Sequence, residues 1–317
     1  MAGILRDRFG GKIPLALGPM AGVTDLPFRF LCSEHGADMT CSEMVSAKAL
    51  FYKNKNTEEL MQISEGEHFA GIQLFGNDPG IMAEMALAIE DRCEYIDVNM
   101  GCPVQKVVKN GEGSALMREP KLVEQILKRM SSVLHKPLSV KIRKGFYRED
   151  RQAPEIARIA EASGVSFITV HGRTREQFFQ GETDLSVIRE VKEAVKIPVI
   201  GNGGIRDGAS AVRMLHETGC DGLMIGQAAM GDPWIFERVR HYLETGEELP
   251  APSPEEIYAM ILRHARMLIE ENGEHMGILK MRSHASWYLT GFPNASKMRA
   301  EINRITRYEE LTELLRR

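Results

Sequence analysis

The chain lacks any pair of cysteines at CxxC spacing. Its five cysteines, Cys32, Cys41, Cys93, Cys102 and Cys220, are scattered and odd in number. That excludes a disulfide framework and gives no thiolate zinc site, so no metal is expected and any cysteine chemistry must rest on a single thiol. No apolar run approaches the ~18 residues that a membrane span needs. The opening MAGILRDRFGGKIP places charges where a secretory signal would carry its apolar segment. A cytoplasmic protein without a membrane partner is the expectation, and nothing points to an obligate protein partner. An excess of positive charge is also missing. The net charge of -4 does not announce a nucleic-acid partner, whose phosphates usually demand a basic surface. What is present is ordinary for a globular protein: 43% hydrophobic and 26% charged residues, which excludes disorder.

A repeated unit runs through most of the 317 residues: a short apolar run, a polar or glycine-rich stop, then a stretch with helical periodicity. The apolar runs are Leu15 to Leu17, Ala37 to Cys41, Ala70 to Leu74, Tyr95 to Val98, Leu138 to Ile142, Phe167 to Val170, Val199 to Ile200 and Gly222 to Ile225. Helical stretches between them include Pro79 to Asp91, Pro120 to Leu134, Ala153 to Ser163, Leu185 to Val195 and Gly208 to Thr218. Near-continuous apolar strands alternating with helices imply a parallel sheet covered on its outer side. Eight such units fit a closed (β/α)8 TIM barrel better than a doubly wound sheet, since that barrel takes about 250 residues. After Glu248 the pattern stops. Leu249-Pro-Ala-Pro-Ser-Pro254 reads as a linker, and the remainder reads as helix: Glu255 to Asn272, Lys280 to Leu289, Ala295 to Ile305 and Tyr308 to Leu315. Residues 250–317 hold ten Lys or Arg against nine Asp or Glu, whereas the rest holds 30 against 35. The expected organisation is a catalytic barrel, residues 1–248, and a small, relatively basic helical domain, residues 249–317.

In a barrel of this type the chemistry sits where the strands end. Alternation along the strands lets Gln73, Asn99, Lys141 and His171 point inward as a cluster of hydrogen-bonding groups around a ligand. Gly201-Asn-Gly-Gly204 and Gly226 follow the seventh and eighth strands, the usual phosphate site, because glycine lets backbone N–H groups approach an anion. Lys141 closes an apolar run, a costly place for a cation unless it meets an anion or an electron-rich ring. Cys102 is the one cysteine on a catalytic-face loop. Gly101 before it permits a sharp turn and Pro103 after it stiffens the exit. With an ordinary pKa near 8.5 the thiol is protonated at neutral pH and suits a proton donor.

These motifs resemble those of the tRNA-dihydrouridine synthases, most closely the bacterial B type. The resemblance is carried by Pro19-Met-Ala-Gly-Val-Thr-Asp25, Ser42-Glu-Met44, Asp97-Val-Asn-Met-Gly-Cys-Pro103, Gly113-Ser-Ala-Leu116, Val140-Lys-Ile-Arg143, Val170-His-Gly-Arg-Thr-Arg175, Pro198-Val-Ile-Gly-Asn-Gly203, Pro233-Trp-Ile-Phe236 and His284-Ala-Ser-Trp-Tyr-Leu289. It implies FMN over the barrel mouth, contacted by Pro19, Met20, Ala21, Gln73, Asn99, Lys141, His171, Asn202, Gly203, Gly204, Gly226 and Gln227. It implies NADPH as reductant, hydride transfer to uracil C6, and Cys102 as proton donor to C5. Gln227 departs from the family, which generally has arginine there. With tRNA as partner, basic residues of the catalytic-face loops are expected to line an RNA groove with the tail: Lys106, Lys109, Arg143, Lys144, Arg148, Arg151, Arg173 and Arg175, joined by Lys280, Arg282, His284, Lys297, Arg299, Arg304 and Arg307. Two other readings fit part of the pattern: an FMN barrel acting on a free pyrimidine, as dihydroorotate dehydrogenases do, and a non-catalytic RNA-binding barrel.

Overall fold

In the computed structural model, which describes residues 4–54 and 56–316, eight parallel strands form one sheet in the order β1-β8-β7-β6-β5-β4-β3-β2. They are β1 Leu15–Leu17, β2 Thr40–Ser46, β3 Ala70–Phe75, β4 Tyr95–Met100, β5 Leu138–Arg143, β6 Phe167–His171, β7 Val199–Asn202 and β8 Gly222–Ile225. The ring closes between β1 and the residue just before β2 through a parallel bridge of Ala16 with Met39, with Leu17 N–H donating to the Met39 carbonyl at 2.9 Å. The chain is a TIM barrel. Its strands are buried on both faces because helices cover the outside, which is why they read as continuous apolar runs rather than alternating ones.

β2 differs from the sequence expectation of Ala37 to Cys41. It begins and ends later, and its register on β3 shifts between Cys41 and Met44. Ser42, which reads as a polar stop, stays inside the strand because its hydroxyl accepts the Gln73 N–H at 3.0 Å and donates to the Glu43 carbonyl at 2.8 Å. Several other strands run one or two residues past their apolar cores, so Arg143, His171 and Asn202 belong to strands rather than loops.

The helices Pro254–Asn272, Glu274–Tyr288, Ala295–Ile302 and Tyr308–Leu315 follow the proline-rich segment. The first starts on a capping box in which Ser253 and Glu256 exchange side-chain to backbone bonds, with Pro254 at the first turn. These helices gather a second core around Ile261, Leu268, Met281 and Tyr288, to which the barrel contributes Leu31 and Trp234. The two halves approach without a gap: a Cβ on Gly231 would lie 2.3 Å from the Tyr288 nitrogen.

Under this junction lies a buried ion pair. Arg29 Nε meets Glu67 Oε2 at 2.9 Å, with side chains 3% and 0% exposed. The pair is further tied down: Arg29 also donates to the carbonyls of Thr24 and Gln62 and to the second Glu67 oxygen, and Glu67 accepts from Thr40 Oγ1 at 2.6 Å and Ser64 N–H at 3.0 Å. Removing one partner leaves an uncompensated charge, so Glu67→Ala is expected to lower unfolding stability by about 3–5 kcal/mol, read from the urea midpoint.

Candidate active site

Four inward side chains build a ladder from the barrel interior to its mouth. Asp97 accepts from Ser139 Oγ at 2.5 Å and from Gln73 Nε2 at 2.7 Å. Gln73 Oε1 accepts from Asn99 Nδ2, also at 2.7 Å. Asn99 Oδ1 then accepts two backbone N–H groups, Gly101 at 3.1 Å and Cys102 at 2.8 Å. The direction is set at the mouth. A backbone N–H can only donate, so Asn99 must turn its oxygen to Gly101 and Cys102 and its NH2 to Gln73, and Gln73 in turn presents its own NH2 to Asp97. All four side chains are buried, which makes the ladder rigid, and its last rung fixes the Cys102 loop. On its other side that loop rests on Gly113, at φ +59°, where a Cβ would come within 3.1 Å of the Cys102 Cβ.

Cys102 is partly exposed, whereas Cys32, Cys41, Cys93 and Cys220 are buried. Burial of the Cys102 sulfur raises its pKa above the ordinary thiol value, against the lowering influence of the Val104 backbone N–H and the Arg143 and Lys141 charges. The thiol therefore holds its proton at neutral pH.

Lys141 pairs in register with Asn99 and donates from Nζ to Asn202 Oδ1 at 3.0 Å, while Asn202 Nδ2 donates to the Met224 carbonyl at 2.8 Å. Burial and the neighbouring Arg143 charge bring Lys141 down to about 8, against the pull of Asp97. His171 sits beside Asn202 in register, and burial together with the charges of Arg143, Lys141 and Arg173 holds its imidazole neutral. Its Nδ1 is buried without a partner. Gly203 and Gly204 have φ of +109° and +76°, and a Cβ on Gly203 would strike the His171 ring at 2.8 Å. The Pro19-Met20-Ala21 loop lies opposite the β8 turn: Gly18 N–H donates to the Ile225 carbonyl at 2.8 Å, and a Cβ on Gly226 would stand 3.8 Å from Met20 Sδ. Beside the glycine turn is a cavity of about 290 Å³ lined by Thr183, Gly203, Gly204 and the cations Arg173, Arg206 and Arg213. A lysine, an unpartnered imidazole nitrogen and an unhindered glycine turn fit a planar heteroaromatic group carrying an anionic tail.

Two residues expected at an RNA surface are not there. Arg143 is 4% exposed and spends its donors on the carbonyls of Gly101, Thr174 and Phe178 at 2.8 to 2.9 Å, tying the Cys102 loop to the loop after β6. His284 is 1% exposed and faces Asp25, so it offers no surface to RNA. Arg282, half-buried, donates twice to the Ile305 carbonyl. Lys144 and Arg151 pair with Asp184, and Lys280 with Glu59. Lys106 and Lys109 are exposed on the helix Gln105–Lys109, and Arg173 and Arg175 are half-buried. Sequence reasoning missed Asp97, the base of the ladder, and the tandem Phe178–Phe179. Those rings, 4.7 Å apart and both 43% exposed, stand in an otherwise polar loop, and that contrast was the available signal.

Comparison with known proteins fits this geometry. A family model described as dihydrouridine synthase matches residues 15–317. The chain is 42% identical to a Pseudomonas aeruginosa protein named tRNA-dihydrouridine synthase B, over 92% of this chain and 88% of that one. It is 41% identical to a Rickettsia bellii protein named probable tRNA-dihydrouridine synthase, over 91% and 89%. Among solved structures, histamine dehydrogenase from Rhizobium sp. 4-9 shares the fold, with a TM-score of 0.57 at 12% identity, over 86% of this chain and 49% of that one. With the family model spanning the barrel, the Cys102 loop and the helical tail alike, this chain belongs to the dihydrouridine synthase family.

Proposed function

We propose that the protein reduces uridines of tRNA to 5,6-dihydrouridine, with FMN across the barrel mouth, NADPH as reductant and Cys102 as proton donor. One observation carries this reading: the only partly exposed thiol is held by the polar ladder at the mouth that also gathers Lys141, His171 and the glycine turn. The names of its relatives support tRNA as substrate. When bound, FMN would supply the hydride for C6 of the pyrimidine.

The rest falls to the chain. Lys141 and the neutral His171 suit the polar edge of the isoalloxazine, Gly203 and Gly204 its phosphate, and Met20 and Gly226 would flank it. Gln227 brings no charge to that phosphate, and Arg206 and Arg213, which line the cavity beside the glycine turn, supply it instead. Cys102 keeps a proton for C5, and Asn99 sets where that proton stands. A base reaches such a mouth only after leaving its stack. Phe178 and Phe179 offer an aromatic surface to a splayed base, a contact worth about 1–3 kcal/mol per base, while Lys106, Lys109, Arg173 and Arg175 suit the flanking phosphates. The helical tail would hold the body of the tRNA.

The substrate is tested by mass spectrometry of nucleosides from tRNA of a strain lacking the gene. The wild-type gene should restore dihydrouridine; unchanged tRNA, with turnover of a free pyrimidine by the purified protein, would reject the reading. Binding has its own pH signature. Lys141, at about 8 in the free protein, is a cation below that pH and neutral above it. Affinity for FMN should therefore be highest below pH 8 and fall as pH rises through it. Lys141→Met should weaken binding about tenfold or more and flatten the profile, as quenching of flavin fluorescence would show.

A further inference from the structure

The motif Pro19–Asp25 ends on a carboxylate that the proposed reaction does not draw on. Asp25 Oδ1 accepts the Phe28 N–H at 3.0 Å and so caps the helix Leu26–Glu34, and its Oδ2 stands 2.9 Å from Nε2 of His284. From the adjoining tail helix His264 turns its own Nε2 to the same carboxylate, 3.8 Å from Oδ1. That distance is beyond a hydrogen bond, and this nitrogen has no other partner. His264 and His284 are 0% and 1% exposed, and the Asp25 side chain is 13% exposed.

A buried ring nitrogen without a partner is destabilising, and neither tautomer of His264 cures it. With the proton on Nε2, the N–H points at a carboxylate it does not reach. With the proton on Nδ1, shared with the Tyr288 hydroxyl 3.4 Å away, a lone pair faces an anion across an apolar setting that includes the Phe28 ring. A cation between the three groups resolves both arrangements.

We propose that Asp25, His264 and His284 form a divalent-metal site, suited to Zn2+, that clamps the helical tail to the barrel. One donor atom from each residue lies within 4.8 Å of the other two. Small closing movements bring such atoms to Zn–N and Zn–O bonds of about 2.0–2.2 Å. Two imidazoles with one carboxylate select a borderline ion such as Zn2+ over Mg2+ or Ca2+, which take oxygen ligands. Three protein donors leave a fourth position for water, and the partial exposure of Asp25 gives that water a way in. The Tyr288 hydroxyl at Nδ1 of His264 orients the ring from behind, as outer partners of metal-bound histidines do. Because Asp25 directly follows the 19–24 loop and both imidazoles come from the tail, the ion would fix these two parts relative to each other. The site is independent of the proposed reaction.

The test uses the full chain, made without a histidine tag, dialysed against metal-free buffer and analysed by elemental mass spectrometry. About one Zn per chain is expected, falling to about a tenth of that or less in His264→Gln and His284→Gln. Zn2+ added to chelator-stripped wild type should raise its melting temperature, and should not do so for His264→Gln. Should the variants fail to fold, Co2+ added to stripped wild type decides, since four-coordinate Co2+ gives intense visible absorption. Wild type that carries no metal, shows no melting shift with Zn2+ and stays colourless with Co2+ would overturn the site, as would metal retained in full by both folded variants.

Discussion

The structure depends on a run of hydrogen bonds with only one possible direction. A buried carboxylate at Asp97 and a pair of backbone N–H groups at Gly101 and Cys102 are separated by two amide side chains, Gln73 and Asn99. The backbone donors at the mouth demand one orientation of both amides, with each NH2 turned toward Asp97. The Cys102 loop consequently inherits the rigidity of the barrel. A reactive side chain on an ordinary surface loop would be mobile; this one is anchored to three strands at once.

The charges around the loop follow from the same enclosure. Lys141, Arg143 and His171 crowd one side of the mouth, and burial lowers the pKa of all three. Arg143 spends its charge on backbone carbonyls that brace two loops, which leaves Lys141 and His171 turned toward the mouth. Burial of Cys102 works in the opposite sense and keeps a proton on sulfur. A site that combines a protonated thiol, a cation near its own titration point and a neutral imidazole is suited to delivering a proton beside an electron-rich ring.

Much of this was legible in the sequence, and the reason is geometric. A parallel barrel forces every strand to end on one face, so reading the residue that closes each apolar run brought Gln73, Asn99, Lys141, His171, Asn202 and Cys102 into one list, and the structure brings them together. The shift of β2 was not legible, because Ser42 looks like a stop until its hydroxyl is seen pairing within the sheet. Burial of the charged residues was not legible either. Whether Arg143 faces solvent depends on carbonyls presented by the loop at Thr174–Phe178, and whether His284 does depends on how the tail meets Asp25; neither is written in spacing or periodicity. The family resemblance carries the cofactor and substrate expectations; the ladder that positions the thiol depends on side chains from three strands whose pairing no spacing in the sequence shows.

The most direct measurement follows oxidation of pre-reduced enzyme on rapid mixing with tRNA that lacks dihydrouridine, comparing wild type with Cys102→Ala. On the proposed role of Cys102 as proton donor, its removal should slow the transfer by about 10²–10⁴-fold while leaving bound flavin and tRNA affinity unchanged. Equal rates for the two proteins would contradict the account, because the ladder would then be holding a thiol that the chemistry does not need.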